Sequence, residues 1–229
     1  DQPQNCFYGP SAFTNTSSLI QGTLTKYAWT FGDGKNSTQT SPVHSYASPG
    51  TYTVTLVATS DSGCVDTTLQ VVYLNPKPTA AFAVNDTCVY QSFDFANKTT
   101  LSSGAIASHA WNFGDGKTSS SVLPTHSYGA AGSYSAQLIV VSDSGCSDTF
   151  SQTVTAHARP SAQFSASAVC HENFTEFTDA SSVSNSSIAQ WSWDFGDGST
   201  STAQNPKNRY QKPGTYTVKL IATSAYGCV

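Results

Sequence analysis

The chain has 229 residues, of which 10% are charged and 12% are aromatic, and its formal net charge is −4. The negative charge argues against nucleic acid as a partner, and no apolar run is long enough to span a membrane. The sequence contains no Met, so we expect a mature product or an internal segment of a longer protein.

An internal repeat organises the whole chain. The block Trp-x-Phe-Gly-Asp-Gly begins at Trp29, Trp111 and Trp193, and the step is the same both times (111 − 29 = 82 and 193 − 111 = 82). A period of this length corresponds to one small domain. We therefore predict three modules, at residues 1–75, 76–157 and 158–229.

The repeat is cut out of phase at both ends of the sequence. The first module lacks the segment that corresponds to 78–82, so its first strand is missing or truncated. The third module stops before the segment that corresponds to 148–155, so its last strand is missing. We expect further modules on both sides.

The second module is complete, and its apolar pattern predicts strands in chain order. Alternation of apolar and polar residues is typical of strands that bury one face, and no segment has the period of an amphipathic helix. Short strands separated by turn residues predict a β-sandwich. The predicted strands cover Thr79–Val84, Gln91–Ala96, Ile106–Phe113, Ser133–Val141 and Asp148–Thr155.

The repeated block is interpreted as turn chemistry. Trp111 and Phe113 lie two residues apart, so both side chains point to one face of a strand. The glycines can adopt the positive φ of a tight hairpin, and Asp115 can accept a hydrogen bond from its own turn. The signature residues of the block are Trp29, Gly32, Asp33, Gly34, Trp111, Gly114, Asp115, Gly116, Trp193, Gly196, Asp197 and Gly198.

We expect no catalytic residue, no enzyme activity, no metal site and no cofactor in this chain. No second carboxylate recurs beside the aspartate of the block, as paired-carboxylate hydrolysis would need. His44 and His126 share one repeat position, but Asn208 takes it in the third module, and a general base would not tolerate that change. We interpret these side chains as bonds to a neighbouring loop.

Two binding alternatives stay open. Acidic residues near the module junctions are candidate Ca²⁺ ligands, although they form no dense cluster with ligand spacing. Tyr27 and Trp191 are aromatic neighbours of the signature tryptophan that core packing explains more simply than glycan stacking. The acidic loop ends are Asp61, Asp66, Asp143 and Asp148.

The repeated block resembles the Trp-Asp-Phe-Gly-Asp-Gly hallmark of the PKD (polycystic kidney disease) domain, which Trp193–Gly198 reproduces in full. The similarity continues in Asn205-Pro206 and in Pro213–Val218. It implies an all-β fold of three tandem immunoglobulin-like β-sandwich domains in an extended array, built from non-catalytic modules. The Ser-Gly-Cys-x-Asp-Thr segment at Ser62–Thr67 resembles PKD arrays of Bacteroidetes-type secreted surface proteins, including gliding-type adhesins.

Six cysteines at regular positions suggest disulfides and an oxidising compartment. No Cys-x-x-Cys or Cys/His cluster has zinc spacing. The cysteines form two repeat series, Cys6, Cys88 and Cys170 at the first turn of each module, and Cys64, Cys146 and Cys228 near the last turn.

The resemblance implies strands A, B, C, C′, E, F and G that reverse direction in turn, which puts the first and last turns at opposite ends of a module. Strands keep those ends roughly 20 Å apart, whereas a disulfide needs Cα atoms within about 7 Å. If the segment Thr125–Tyr128 is a loop instead of strand E, pairing within modules becomes feasible. The favoured pairs between modules are Cys6–Cys146 and Cys88–Cys228, and the alternative pairs within modules are Cys6–Cys64, Cys88–Cys146 and Cys170–Cys228.

The sequence predicts an extracellular, non-catalytic structural or adhesive segment that forms a stiff rod or filament shaft. Its expected partners are flanking modules of the same chain, other copies in a filament, and surface glycans or proteins. The alternative is a set of polysaccharide- or protein-binding accessory modules of a secreted hydrolase. Possible glycosylation sites are Asn15, Asn36, Asn85, Asn97, Asn173, Asn185 and Thr67.

Overall fold

The computed structural model describes residues 6–7, 9–167 and 173–229. Strands and turns make up this part of the chain, which contains no helix and hence no helical segment suited to crossing a membrane. The all-β prediction is confirmed.

The first module contains a four-stranded antiparallel sheet with the order β3-β2-β5-β6. A short pair, β1 with β4, lies outside that sheet. The strands are β1 Ser11–Ala12, β2 Leu24–Thr30, β3 Asn36–Ser37, β4 Val43–His44, β5 Gly50–Ser60 and β6 Val65–Leu74.

The strands of the second module are β7 Phe82–Ala83, β8 Thr87–Cys88, β9 Phe93–Asp94, β10 Ala96–Asn97, β11 Ile106–Asn112, β12 Thr118–Ser119, β13 Thr125–His126, β14 Gly132–Ser142 and β15 Ser147–His157. Its larger sheet has the order β12-β11-β14-β15-β8, with β15 and β8 parallel. The segment on which the disulfide prediction depended is a strand, because β13 pairs with β9.

The third module repeats this plan with two three-stranded sheets, in the orders β19-β18-β21 and β16-β17-β20. Its strands are β16 Phe164–Ala166, β17 Thr175–Asp179, β18 Ile188–Asp194, β19 Thr200–Ser201, β20 Lys207–Asn208 and β21 Lys219–Ser224.

Internal contacts divide the chain into two compact units. One comprises Asp1–Ala81, Lys98–Ala110 and Leu138–Phe150, and the other comprises Phe82–Asn97, Trp111–Gln137 and Ser151–Val229. Each unit contains parts of the second module, so the module boundaries at 75/76 and 157/158 stay predictions from the repeat.

The signature aromatic residues form the cores. Trp111 and Phe113 are 1% and 2% exposed, which confirms that both point to one buried face. Each signature tryptophan also satisfies its indole N–H, because Trp111 Nε1 donates to the carbonyl of Ser121 at 2.9 Å. The equivalent bonds run from Trp29 to Gln39 and from Trp193 to Ala203.

The two glycines of the signature turn have different roles. Both adopt positive φ, 85° at Gly114 and 86° at Gly116. A Cβ added at Gly114 would lie 2.8 Å from the carbonyl oxygen of Ser135, whereas one at Gly116 would meet nothing within 4 Å. The first glycine is therefore required both by its conformation and by close contact with the backbone of β14.

We expect Gly114→Ala to destabilise the protein more than Gly116→Ala. Both substitutions place alanine at positive φ, at a cost of about 1–2 kcal/mol, but only Gly114→Ala adds a backbone clash of about 1–3 kcal/mol. The loss in the free energy of unfolding is measured by urea denaturation of both variants, with hydrogen exchange of residues 111–117 as the readout. Equal losses for the two variants would contradict the close-contact argument.

Candidate functional site: disulfides and repeated side-chain contacts

Two disulfides join cysteines of successive modules. Cys6 bonds Cys146 and Cys88 bonds Cys228, with Cα–Cα distances of 5.6 and 5.7 Å. We call each of these bonds a staple, because it links the first turn of one module to the last turn of the next. Each staple lies inside one of the two compact units.

The alternative pairing within modules is wrong, because four of the six cysteines it uses are bonded elsewhere. Cys88 pairs with His157 at the end of β15, whereas Cys146 lies just before the start of that strand, so the first and last turns of one module do not meet. Cys64 is a free, exposed thiol, and Cys170 lies outside the described residues. The pairs excluded are Cys6–Cys64, Cys88–Cys146 and Cys170–Cys228.

Each last-turn cysteine sits in the same preorganised loop. The backbone N–H of Cys146 donates to Ser142 Oγ at 3.1 Å, and the N–H of Ser142 donates to the carbonyl of Cys146 at 2.8 Å. Gly145 makes the turn possible with a φ of 82°. The loops of Cys64 and Cys228 have the same two hydrogen bonds, to Ser60 and to Ser224.

Each described first-turn cysteine is fixed to the end of its own module. Cys6 forms a parallel bridge with Asn75, and the N–H of Phe7 donates to the Asn75 carbonyl at 2.8 Å. Cys88 pairs in the same way with His157. A staple therefore attaches a loop of one module to the last strand of the module before it.

The linker that enters the second module is also held by a carboxylate. Asp148 Oδ1 lies 2.7 Å from Lys77 Nζ, and its Oδ2 accepts a hydrogen bond from the N–H of Ala80 at 2.8 Å. Partial burial works to raise the pKa of Asp148, but the bonds from Lys77 and Ala80 outweigh it and hold the pKa below its ordinary value. The sequence carries no signal for this contact, because Ala80 and Asp148 are 68 positions apart in the chain.

Stacking supports the second staple. The rings of His157 and Tyr226 are nearly parallel, with centroids 3.7 Å apart and an interplanar angle of 12°. Tyr226 lies two residues before Cys228 and His157 pairs with Cys88, so the stack lies beside the disulfide.

An aspartate–histidine pair closes the signature turn in two modules. Asp33 Oδ2 lies 2.8 Å from His44 Nε2, and Asp115 Oδ2 lies 2.8 Å from His126 Nε2. In the third module the Nδ2 amide of Asn208 donates instead to Asp197 Oδ2 at 2.9 Å. The structure thus brings together the aspartate and the histidine position that the sequence singled out separately.

The aspartate of this pair has a lowered pKa in every module. At Asp115 partial burial acts to raise the pKa, but the hydrogen bonds from the Lys117 backbone and from His126 outweigh it. The pKa of Asp33 is lowered by the same balance, with His44 and Lys35 as donors. At Asp197 the hydroxyl of Ser199 is the main cause of the lowered pKa.

Aromatic side chains surround the histidine of the Asp33–His44 pair. An Asp–His pair forms part of hydrolase triads, but the His44 side chain is 9% exposed and stacks on Phe31 with centroids 4.0 Å apart. Its other neighbour is Tyr46, at 4.6 Å in an edge arrangement. The pair therefore fastens the signature turn to β4 beside the aromatic core.

The remaining predicted sites are scattered over the surface. Trp191 is half-buried, and its Nε1 donates to Asp179 Oδ2 at 2.7 Å. Tyr27 packs against the first core.

No group of three His, Cys, Asp or Glu side chains suits a metal ion within the described residues. Exposed glycosylation candidates are Asn36, Thr67, Asn85, Asn173 and Asn185, and half-buried ones are Asn15 and Asn97.

Comparison with known proteins fits the repeat and the sandwich sheets. The PKD domain family model matches residues 10–73, 75–158 and 157–229. The chain belongs to the PKD domain family. Its three PKD modules account for both the constant repeat step and the recurrent signature turn.

Curated relatives contain PKD segments in much longer chains. The pre-pro-metalloprotease PrtV of Vibrio cholerae is 32% identical over 136 residues, which is 59% of this chain and 15% of PrtV. The microbial collagenase of Vibrio alginolyticus is 38% identical over 87 residues, 37% of this chain and 11% of the collagenase. The chain thus spans about a seventh or less of these relatives' length.

Solved PKD domains are similar to single modules. The PKD1 domain of the Vibrio cholerae metalloprotease PrtV is 41% identical, covers 35% of this chain and 96% of its own, and has a TM-score of 0.33. The PKD1 domain of Vibrio anguillarum Epp is 33% identical, covers 36% and 95%, and has a TM-score of 0.34.

We expect Asp115→Asn to lower stability by about 1 kcal/mol near neutral pH, because two charge-assisted hydrogen bonds lose their acceptor charge. A carboxyl with a lowered folded-state pKa stabilises the protein above its unfolded pKa of about 3.9, and this contribution is lost as the pH falls through the folded-state value. The variant should therefore approach the wild type in strongly acidic solution.

Hydrogen exchange of residues 111–128 between pH 7 and pH 3 measures the effect. The control is Asp94→Asn, which removes the same charge at an exposed position and should change little. A difference that persists unchanged at the lowest pH would exclude the carboxylate as its source.

Proposed function

We propose that this segment is a non-catalytic structural spacer of an extracellular or cell-surface protein, in which staples keep successive PKD modules joined under tension. The observation that carries the proposal is the pair of disulfides Cys6–Cys146 and Cys88–Cys228. Disulfides persist in oxidising compartments such as the cell exterior. A role in surface or gliding-type adhesins is the finer form of this proposal, supported by the sequence resemblance.

The staples shorten the covalent path between the chain ends. Tension that enters at the N-terminal end passes from Cys6 directly to Cys146, so the residues between them are bypassed. From Cys146 the shorter route runs back along the chain to Cys88 and across the second disulfide to Cys228. That route uses only 1–6, 88–146 and 228–229, whereas the path through the unstapled chain runs over its full length.

Each staple also stabilises the folded modules. The sequence separation is 140 residues for both bonds. On the chain-entropy model, closing a loop of that length destabilises the unfolded chain by about 5 kcal/mol. The stapled spacer therefore resists complete extension. Its unfolded chain also has fewer conformations from which the folded state must re-form.

We expect the staples to set the extension limit in single-molecule pulling between the chain ends. At about 3.5 Å per residue, the oxidised chain should reach roughly 230 Å and the reduced chain roughly 800 Å. The variant Cys88→Ser/Cys228→Ser, which retains only the first staple, should stop at roughly 310 Å on the same scale. Equal limits with and without reductant would contradict the proposal.

The second candidate function is that of accessory modules which present a substrate to an enzyme domain. The relatives favour it, because they include a metalloprotease and collagenases. Exposed apolar side chains along one face of β6 offer a surface for such contacts. They are Val65, Leu69, Val71 and Tyr73.

Co-sedimentation with insoluble collagen and with polysaccharide tests this second function. Binding that is lost in Leu69→Ser/Tyr73→Thr would support it, since serine and threonine occupy the equivalent positions 151 and 155 of the second module. The control is Val122→Ser, another exposed apolar residue outside β6. Sedimentation no greater than that of serum albumin would count against accessory binding and leave the spacer.

A further inference from the structure

The four-stranded sheet of the first module has one face that points away from the core. Trp29 pairs with Leu56, and Leu56 pairs with Thr68, so these positions share the core side of the sheet. Because successive residues of a strand alternate between faces, the opposite side carries the even positions 26–30 of β2 and the odd positions 51–59 of β5 and 65–73 of β6. We call this surface the outer face. Among its positions only Lys26 carries a charge.

The strand β6 lays an apolar stripe along the outer face. Val65, Leu69, Val71 and Tyr73 are 66%, 66%, 40% and 58% exposed, and Thr67 completes the row. Side chains this exposed add little to the core of their own module, so core packing does not explain why they are apolar. Exposed apolar surface of this kind marks a site of interaction.

The second module shows that the fold does not require the stripe. Gln137 Nε2 donates to Ser151 Oγ at 3.3 Å, at the repeat position where Thr55 faces Leu69 in the first module. The polar row is itself exposed or half-buried, so the sandwich does not cover this face in the second module either. One repeat period carries positions 65–73 onto Ser147, Thr149, Ser151, Thr153 and Thr155.

The chemistry of the outer face fits another surface of the same kind. A strongly charged partner would meet a single charge, the ammonium group of Lys26. The threonine methyl groups of β5 and the stripe of β6 instead form an uncharged and largely apolar sheet surface. Two such surfaces pack face to face about 10 Å apart, with their strands within about 30° of each other.

The size of the outer face is sufficient for a weak pair of chains. The ten residues of β6 extend over about 33 Å, and the three strands β2, β5 and β6 are together roughly 14 Å wide. Two copies of this face bury roughly 1,000 Å² in total, which is at the lower limit for a specific interface. A second copy of the chain therefore offers enough contact for reversible association.

A two-fold axis centred on Leu69 suits both the stripe and the charge. Leu69 is the midpoint of positions 65–73, so an antiparallel partner places Leu69 on its own counterpart and Tyr73 on the partner's Val65. Lys26 is level with Val65, because both pair with Thr59. Each ammonium group thus lies four residues from the axis, and the two are roughly 27 Å apart. Like charges do not meet in this arrangement.

We propose that the outer face of the first module is a self-association surface, through which two copies of this chain pair face to face with their β6 strands antiparallel. The proposal goes beyond the spacer function, because it joins neighbouring chains instead of successive modules of one chain. The small area makes the pair weak and reversible, with a Kd on the order of 10 µM.

Sedimentation equilibrium of the whole chain from about 1 µM to about 1 mM tests the pair. All samples carry Cys64→Ser, so that the free thiol cannot form a covalent dimer. We expect a monomer–dimer equilibrium. Leu69→Ser/Val71→Thr/Tyr73→Thr installs the residues of the second module and should raise the Kd at least tenfold, since the interface loses most of its apolar area.

The control is Val43→Ser/Val122→Ser/Leu123→Ser, which removes three exposed apolar side chains outside the outer face and should leave the Kd unchanged. A monomer at the highest concentration, or equal weakening by the two triple variants, would overturn the proposal. A monomer that binds collagen or polysaccharide through the stripe would assign the outer face to that substrate and likewise overturn the pair.

Cross-linking tests the two-fold axis. Leu69→Cys and Lys26→Cys, each in the Cys64→Ser chain, are treated with a short bismaleimide at the concentration where dimers form. Leu69→Cys should give covalent dimers, because the axis passes between the two copies of that position. Lys26→Cys should not, because its two copies are roughly 27 Å apart. No dimer from Leu69→Cys, or as much from Lys26→Cys, would refute the arrangement.

These tests are independent of the spacer function. Association and cross-linking are read without force, so failure of the pulling experiment leaves the pair in place. A chain that stays monomeric would conversely leave both staples and their extension limit unchanged.

Discussion

Each module depends on one close backbone contact at the signature turn. The first glycine of the turn lies so near the carbonyl of the neighbouring strand that a Cβ there would come within 2.8 Å of it at Gly32 and Gly114. This contact sets how β2 and β11 lie against β5 and β14. It thereby places the tryptophan and phenylalanine in the core, and it brings the aspartate within reach of the histidine or asparagine of the next loop.

A tyrosine at the same position of each repeat links the signature turn to the strand that follows. Tyr46, Tyr128 and Tyr210 each donate a hydroxyl hydrogen bond to the carbonyl of the signature phenylalanine, at 2.8 to 3.2 Å. The tyrosine precedes the long strand that ends at the last-turn serine. Since the same strand carries the cysteine loop at its far end, the position of each staple depends on packing that begins at the opposite end of the module.

Much of this fold is predictable from sequence because it rests on local periodicity. Alternation fixes which face of β11 carries Trp111 and Phe113, and glycine marks the positive φ of the turns. The disulfide partners needed one further fact, the existence of β13, which contributes only two residues, Thr125–His126. A strand that short has almost no sequence pattern, so the reasoning that depended on it left the alternative pairing open.

The contacts that could not be predicted join loops that are distant in the chain, as Asp148 and Ala80 do. Neither residue carries a sequence signal that identifies the other as its partner. The sequence predicted that His44 and His126 bond a neighbouring loop, but it did not identify the signature aspartate as their partner. Asn208 keeps this role in the third module, because an amide and an imidazole can each donate to a carboxylate.

The staples also impose an order on biosynthesis. Cys6 cannot find its partner until Cys146 has been made, 140 residues later. At the usual synthesis rate of about 5–20 residues per second that delay is roughly 7–28 s. During this interval Cys64 has already been made, but β6 separates it from Cys6, which bridges to Asn75 beyond the far end of that strand. The fold therefore favours the Cys6–Cys146 disulfide, because Cys64 stays out of reach of Cys6 until Cys146 has been made.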